Sequence, residues 1–179
     1  MSLKTIYAER DSVLVHPWAH AALGVDLQAM GQGTFGSQTW TANLAVYIPF
    51  TLARPKTIAK FFWANGGTLG GNTDVGVYSF GLTKLSSSGP TANSGVSDLQ
   101  VVDVTDLVIG PGRYWLALTC DSGTQIFGSC DSVNVSAQDC LGIKQEAAGY
   151  SSGLKASPTL SAPTVQSVPM FGFTPRSVI

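Results

Sequence analysis

Residues 44–50 read Leu44-Ala45-Val46-Tyr47-Ile48-Pro49-Phe50, with a large apolar side chain at every second position. A period of two is typical of a β-strand that has one apolar face. Residues 113–120 alternate in the same way, with Leu116 on one face and Trp115 on the other. Both stretches are therefore predicted to be strands.

Residues 56–64 also alternate, and the period places Phe61 and Trp63 on one face and Ile58 on the other. Further strands are predicted where apolar and β-branched residues recur between turn residues. They cover residues 74–80, 99–104 and 165–173.

Short strands about ten residues apart, separated by turns such as Gly110-Pro111-Gly112, indicate a sandwich or a barrel. A parallel sheet would need intervening helices of about ten residues or more, and residues 39–130 contain no such stretch. We predict an all-β fold, an antiparallel jelly-roll-like β-sandwich.

The chain divides into three regions that differ in how regularly apolar and polar residues alternate. Residues 1–38 are predicted to form an irregular N-terminal arm, in which residues 18–30 fit a short helix after Pro17. Residues 39–130 are predicted to form the sandwich body. Residues 131–179 are predicted to be an insertion and a C-terminal extension that returns to the sandwich. Within this last region, residues 136–150 fit either a short helix or an irregular insertion, and residues 157–163 fit an extended linker.

The charged fraction of the chain is low, 12%, against about 25% for an ordinary soluble domain. Charged side chains are depleted from the centres of protein interfaces, so a charge-poor surface tolerates burial against another protein. The alternative explanation of the low charged fraction is a Ser/Thr-rich surface, which many secreted and viral β proteins have. We also expect the weakly patterned ends of the chain to order against neighbouring subunits.

The ten Lys and Arg residues are scattered, and the net charge is −1. Because no basic stripe could neutralise a row of phosphates, nucleic-acid binding is not expected. No stretch approaches the roughly 18 apolar residues of a membrane helix, and residues 1–11 lack the apolar core of a secretion signal. We expect no membrane association and a protein that stays in the cytoplasm unless it leaves as part of an assembly.

Three cysteines, Cys120, Cys130 and Cys140, recur every ten residues. Structural zinc sites take four ligands, usually in pairs two to four residues apart, so this spacing does not predict a metal site. A Cys130–Cys140 disulfide is possible, but an odd count in a cytoplasmic protein favours free, partly buried thiols.

The sequence contains fragments that resemble catalytic motifs without completing them. His16 and His20 have the spacing of a metal-binding pair, but Pro17 interrupts the helix and no Glu follows His16, so packing or interface histidines are favoured. Residues 128–132, Gly-Ser-Cys-Asp-Ser, do not form the nucleophile motif G-x-S-x-G. A catalytic pair of Cys130 with either histidine would need the arm to fold over the body.

Neither the Asp residues nor the glycine-rich segment of this chain predicts a catalytic site. Glycoside hydrolysis needs two carboxylates close together, and the sequence shows the residue type but not their proximity, while Asp is also common in turns. The candidates are Asp74, Asp98, Asp103, Asp106 and Asp121. Residues 66–71 are glycine-rich but lack the Lys-Ser/Thr of a phosphate loop, and are predicted to be a flexible loop. No catalytic residue, metal site or cofactor is predicted.

Aromatic residues on the predicted strands are the main alternative signal: Tyr47, Trp63, Tyr78, Tyr114 and Trp115. Rings exposed on one face of a sandwich would offer a platform for sugars, whereas most bulky rings on strands are core. We expect Tyr47 and Trp115 to be exposed, because their strand neighbours already point the other way. With Trp18 of the arm, they are the candidate ligand or interface aromatics.

Four stretches of the body carry a family resemblance: Tyr47-Ile48-Pro49-Phe50, residues 57–66, residues 71–78 and residues 110–118. Through them, residues 44–120 resemble the β-sandwich structural proteins of tailed bacteriophage virions. The resemblance implies a virion component, often trimeric, that decorates the capsid or is mounted on the tail. No functional residues carry over, because such proteins act through surfaces.

The leading hypothesis is a non-enzymatic capsid decoration, or cement, protein located in the virion and made in the host cytoplasm. Its expected partners are itself, as a homotrimer, and other virion proteins such as the major capsid protein. The alternative is a tail-associated receptor- or carbohydrate-binding module that uses Trp115, Tyr47 and the loops at 65–73 and 86–97. A small hydrolase is a third possibility.

Overall fold

The structure is a computed structural model that describes residues 13–15, 35–130, 142–147, 153–164 and 168–174. These residues contain thirteen β-strands and no helix. The strands are β1 (Val13–Val15), β2 (Phe35–Thr39), β3 (Leu44–Leu52), β4 (Lys56–Ala64), β5 (Asn72–Ser79), β6 (Lys84–Ser87), β7 (Thr91–Ala92), β8 (Leu99–Ile109), β9 (Gly112–Cys120), β10 (Ile126–Cys130), β11 (Lys144–Ala147), β12 (Val168–Pro169) and β13 (Phe171–Thr174).

The strands form antiparallel sheets that pack as two layers. One layer is the sheet β11-β3-β9-β5-β6, with β7 also paired to β5. The other is the sheet β1-β13-β4-β8, which is joined to the small sheet β12-β10-β2. Met170 makes part of this junction, because it accepts a hydrogen bond from the Ala64 amide and donates one to the Gly128 carbonyl. The predicted all-β, antiparallel, sandwich-like fold is confirmed, and the jelly-roll subtype stays a prediction.

The main core lies between the two layers and is built from the apolar faces of their strands. The six-stranded sheet contributes Val46, Ile48, Val75, Val77, Leu116 and Leu118. The opposite layer contributes Ile58, Phe61, Trp63, Phe127, Phe171 and Phe173. Removing these side chains from water is the main favourable term in folding, at about 25 cal/mol per Å² of apolar surface.

β4 has the bounds expected from the sequence, but one of its predicted faces is wrong. Ile58 lies in the same buried cluster as Phe61 and Trp63 instead of pointing away from them. The register of β4 against β8 shifts between Ile58 and Lys60, and such an irregularity breaks the strict period of two. β8 also runs on to Ile109, beyond the predicted end at residue 104.

A second, smaller apolar cluster lies on the outer face of the six-stranded sheet. Residues 153–160, here called the strap, cover this face. Leu154 of the strap packs in a buried cluster with the outward-pointing side chains of β3, β5 and β9, and Leu160 packs against that cluster. Those side chains are Ala45, Tyr47, Tyr78, Trp115 and Ala117. The central strands of this sheet are therefore buried on both faces.

Parts of the two terminal regions pair with strands of the same chain. β1 pairs with β13 and β2 pairs with β10, so the expected boundary at residue 38 falls inside β2. β11 pairs with β3, and a helix over residues 144–147 is therefore wrong. β12 and β13 confirm a last strand in the predicted region. The predicted helix at 18–30 lies outside the described residues.

Close packing of β6 and the strap on β5 requires a glycine at position 76. A Cβ at Gly76 would lie 2.8 Å from the Ser86 carbonyl oxygen, 2.8 Å from Ser87 Cβ and 2.9 Å from Leu154 Cδ1. Gly76→Ala is therefore expected to lower the free energy of unfolding by about 1–3 kcal/mol, the usual cost of overpacking. Urea unfolding followed by circular dichroism measures this change.

Gly67→Ala is the matched control, because a Cβ at Gly67 would meet nothing within 4 Å. We expect the control to stay within about 0.5 kcal/mol of the unmodified protein. Equal destabilisation by the two substitutions would show that β6 and the strap do not pack on Gly76 as described.

Candidate contact surfaces

The two candidate aromatics on described strands are buried. Tyr47 has no exposed surface and Trp115 is 9% exposed, so the expectation that they are exposed is wrong. The physical reason is the strap, which covers the face toward which both side chains point. Tyr47 also packs edge-on against Tyr78, with ring centroids 5.5 Å apart. Trp18, the third candidate, lies outside the described residues.

Polar contacts hold the strap on the sheet at three consecutive residues. The Leu154 amide donates to Asp74 Oδ2 at 2.8 Å, and Lys84 Nζ donates to the Leu154 carbonyl at 2.7 Å. The Tyr78 hydroxyl donates to the Lys155 carbonyl at 2.7 Å. The backbone amide of Lys84 donates to the Ala156 carbonyl at 3.1 Å. These bonds satisfy strap backbone groups that would otherwise be costly to bury.

A partly buried ion pair reinforces these contacts. Lys155 Nζ lies 2.6 Å from Glu146 Oε1, and the Glu146 side chain is 10% exposed while that of Lys155 is 37% exposed. Because Glu146 belongs to β11 and Lys155 to the strap, the pair joins two segments of the C-terminal region. Removing Lys155 would leave the Glu146 carboxylate in a largely buried position without this ion-pair partner, which is unfavourable.

Asp74 is the least exposed of the described carboxylates that hold the strap, with 2% of its surface exposed. Burial raises the pKa of this carboxyl group, although the hydrogen bond from the Leu154 amide, the charge of Lys84 and the hydroxyls of Ser87 and Ser88 oppose the rise. Burial likewise raises the pKa of Tyr78. Both groups therefore act as structural hydrogen-bonding partners of buried backbone.

Hydrogen bonds from carboxamide side chains hold the loops at one end of the sandwich. Gln125 Oε1 accepts from the Gly70 amide at 2.8 Å, and Asn93 Nδ2 donates to the Gly70 carbonyl at the same distance. Asn65 Nδ2 donates to the Ser94 carbonyl at 2.6 Å. The glycine-rich segment at 66–71 is thus fixed to its neighbours, in contrast to the predicted flexible loop. These bonds were not predicted from the sequence.

The residues named as candidates for chemistry can be placed where the structure describes them. The described residues contain no group of three or more His, Cys, Asp or Glu side chains that could hold a metal ion. The Ser129 hydroxyl is buried without a hydrogen-bond partner in this part of the chain, so no base contacts it. Cys120 is a buried free thiol whose pKa is raised by burial. His16, His20 and Cys140 lie outside the described residues, as does any pairing that involves them.

β8 carries the most prominent apolar surface of the described chain. Leu99, Val101 and Val108 point away from the core and are 48%, 47% and 67% exposed. Their neighbours Val102, Val104 and Leu107 pack against the core, so β8 is apolar on both faces. Large exposed apolar side chains on one strand are typical of a protein–protein contact site.

β8 is also an edge strand of its sheet, so none of the described strands pairs with one side of its backbone. The Asn65 amide donates to the Asp98 carbonyl, so in an antiparallel ladder residues 98, 100 and 102 face β4. The backbone groups of Val101 and Asp103 therefore face the open edge. At this edge the Leu99 amide donates to Asp98 Oδ1 at 2.7 Å. We call the side chains of Leu99, Val101 and Val108 and this edge the β8 surface.

An exposed aromatic stack lies at one end of the sandwich, opposite the loops that the carboxamide side chains hold. The Phe80 ring is 45% exposed and lies parallel to Trp115, with ring centroids 5.7 Å apart and an interplanar angle of 3°. The Arg113 guanidinium lies 4.1 Å from the Phe80 ring centroid. The sequence did single out Trp115, but its two exposed partners were missed. The period of two that places Arg113 on the same face as Trp115 was the available signal.

No protein-family model, curated protein or solved structure matches this chain. Within the described residues, no helix is long and apolar enough to cross a membrane.

Burial of Asp74 should make the stability of the protein depend on pH. Because the pKa of Asp74 is raised on folding, the unfolded chain releases this proton first, near the ordinary Asp value of about 3.9. The contribution of Asp74 to stability is fully present below that pH and is lost as the pH rises through the raised value. We expect Asp74→Asn to remove this loss.

The measurement is urea unfolding at several pH values between about 4 and 7. The free energy of unfolding of Asp74→Asn, relative to that of the unmodified protein, should increase as the pH rises, because only the unmodified protein loses this contribution to stability. Asp103→Asn, at a side chain that is 81% exposed, removes the same charge elsewhere as a control. Parallel pH profiles for Asp74→Asn and the unmodified protein would contradict the burial of an ionisable Asp74.

Proposed function

We propose that this chain is a non-enzymatic virion structural protein, a capsid decoration protein that acts through protein–protein contacts. In this proposal it assembles with itself as a homotrimer and contacts other virion proteins such as the major capsid protein. It is made in the host cytoplasm and then becomes part of the virion. The virion assignment rests on the resemblance of residues 44–120 to phage β-sandwich structural proteins.

The observation that supports a contact function best is the β8 surface. Natural proteins usually protect edge strands with charges, prolines or bulges, because an open edge pairs readily with other chains. β8 has Asp103 and Asp106 in its middle, but its first half presents Leu99 and Val101 beside open backbone groups. Such a strand is suited to being covered by another protein.

The rest of the described surface is consistent with this proposal. The outer face of the six-stranded sheet, which could have been a ligand platform, is occupied by the strap. The loops at one end are held by their own carboxamide side chains. Protein–protein contact is therefore the simplest function for a chain with so few charges.

A single substitution on β8 tests the contact function. Val101→Lys places a charge in the apolar first half of the β8 surface, where association would have to bury it unpaired. Sedimentation velocity of the unmodified chain should give about three times the chain mass of 18.7 kDa. We expect Val101→Lys to weaken this association at least about 10-fold, because burying an unpaired charge costs well over 1.4 kcal/mol.

Leu85→Lys is the matched control, since Leu85 is an exposed apolar residue on the other sheet. We expect it to associate like the unmodified chain. Co-sedimentation with purified capsids of the parent virus is the second measurement. The unmodified chain and Leu85→Lys should sediment with the capsids, and Val101→Lys should do so more weakly. An unmodified chain that stays monomeric and does not sediment with capsids would overturn the proposal.

A tail-associated receptor- or carbohydrate-binding module is the second candidate. The residues first expected to serve it, Tyr47 and Trp115, are covered by the strap and give it little support. A different observation favours it, the exposed stack of Phe80 with Arg113 beside Trp115.

A further inference from the structure

The stack at the Phe80 end of the sandwich is fixed by the turns on either side of it. The Trp115 indole N–H donates to the Phe80 carbonyl at 3.3 Å. In the turn that follows β5, the Leu82 amide donates to the Ser79 carbonyl at 3.0 Å. The Tyr114 hydroxyl donates to the Gly110 carbonyl at 2.9 Å and holds the turn before β9. A ligand that contacts the stack would therefore have little backbone to order.

Arg113 is exposed and keeps its hydrogen-bonding capacity. Its side chain makes no ion pair and no hydrogen bond among the described residues, and the guanidinium lies over the Phe80 ring. Stacking on a ring restrains a guanidinium without using its five N–H donors. Its strand partner on β3 is Thr51, which carries no charge.

Charge is distributed unevenly between the two ends of the sandwich. Arg54, in the connection between β3 and β4, lies at the same end as Arg113 and is also without an ion pair among the described residues. The described acidic side chains of the connecting loops, Asp98 and Asp121, lie at the other end. Among the described acidic residues, the one nearest to the Phe80 end along the strands is Asp106, on β8 of the opposite layer. The described charges at the Phe80 end therefore favour an anion.

We propose that Phe80, Arg113 and the supporting Trp115 form a binding site for an acidic saccharide, with Arg54 adding to its positive field. The exposed part of the Phe80 ring would contact the apolar C–H face of a sugar, and the Arg113 guanidinium would bind its carboxylate or sulfate group. The site lies on an exposed surface, which suits an oligosaccharide that spreads along it better than a small molecule that needs an enclosing pocket. This site does not depend on the capsid role.

Calorimetric titration with three oligosaccharides of equal length tests the site. The probes are hexagalacturonate, which carries carboxylates, a chondroitin sulfate hexasaccharide, which carries sulfates as well, and neutral maltohexaose. We expect at least one acidic probe to bind about 10-fold or more tightly than the neutral one, and the difference to shrink in high salt. Comparison of the two acidic probes identifies which anionic group is preferred.

Substitutions then locate the binding. Arg113→Gln should weaken binding of the acidic probe about 10-fold, the loss typical of a charge-assisted hydrogen bond. Arg113→Lys keeps the charge but not the planar guanidinium, so its affinity should lie between those of the unmodified protein and Arg113→Gln. Phe80→Leu should also weaken binding. Lys60→Gln removes one positive charge from the other sheet and serves as the control.

Equal binding of acidic and neutral probes, or no binding of either, would overturn the proposed site. Undiminished binding of the acidic probe by Arg113→Gln would overturn it as well. Thermal unfolding of each variant shows whether a loss of binding reflects a loss of folding. None of these results affects self-association through β8, so the two proposals fail independently.

Discussion

The carboxylate of Asp74 accepts a hydrogen bond from the Leu154 amide inside the protein, and the position of the strap depends on this contact. It fixes the strap over the six-stranded sheet, where Leu154 packs against Tyr78 and Trp115. An ionisable group is costly to bury, and the raised pKa of Asp74 reflects that cost. The apolar cluster beneath the strap offsets it, so the sandwich gains a second core outside the first.

This second core determines which surfaces remain for function. A six-stranded sheet with one free face would offer Tyr47 and Trp115 to a ligand, but here both rings stabilise the fold. Among the described residues, the edge strand β8 and the surroundings of Phe80 are two of the places where large apolar side chains remain exposed. The first suits a protein partner because it combines apolar side chains with open backbone groups, and the second suits an anion because Arg113 has no acidic partner among the described residues.

The sequence predicted the strands well, because their signal is local. The bounds of β4 were predicted correctly, and the alternation in β3 and β9 identified their faces. The face of Ile58 was wrong, since a register shift is not visible in one strand alone. The burial of Tyr47 and Trp115 could not be predicted either, because it depends on Leu154, distant in sequence and without a regular pattern around it. The open edge of β8 likewise follows from strand order, which no local pattern reveals.

Hydrogen exchange of the Leu154 amide, followed by nuclear magnetic resonance, is the most direct test of the claim that the strap is part of the core. If Leu154 donates to the buried carboxylate of Asp74 in a stable core, its amide should exchange as slowly as those of Val46 and Leu116 in the central strands. Exchange of Leu154 near the rate of an unstructured peptide, with Val46 and Leu116 still protected, would contradict the account. The strap would then open in the native state, and the aromatic face beneath it would become accessible to ligands.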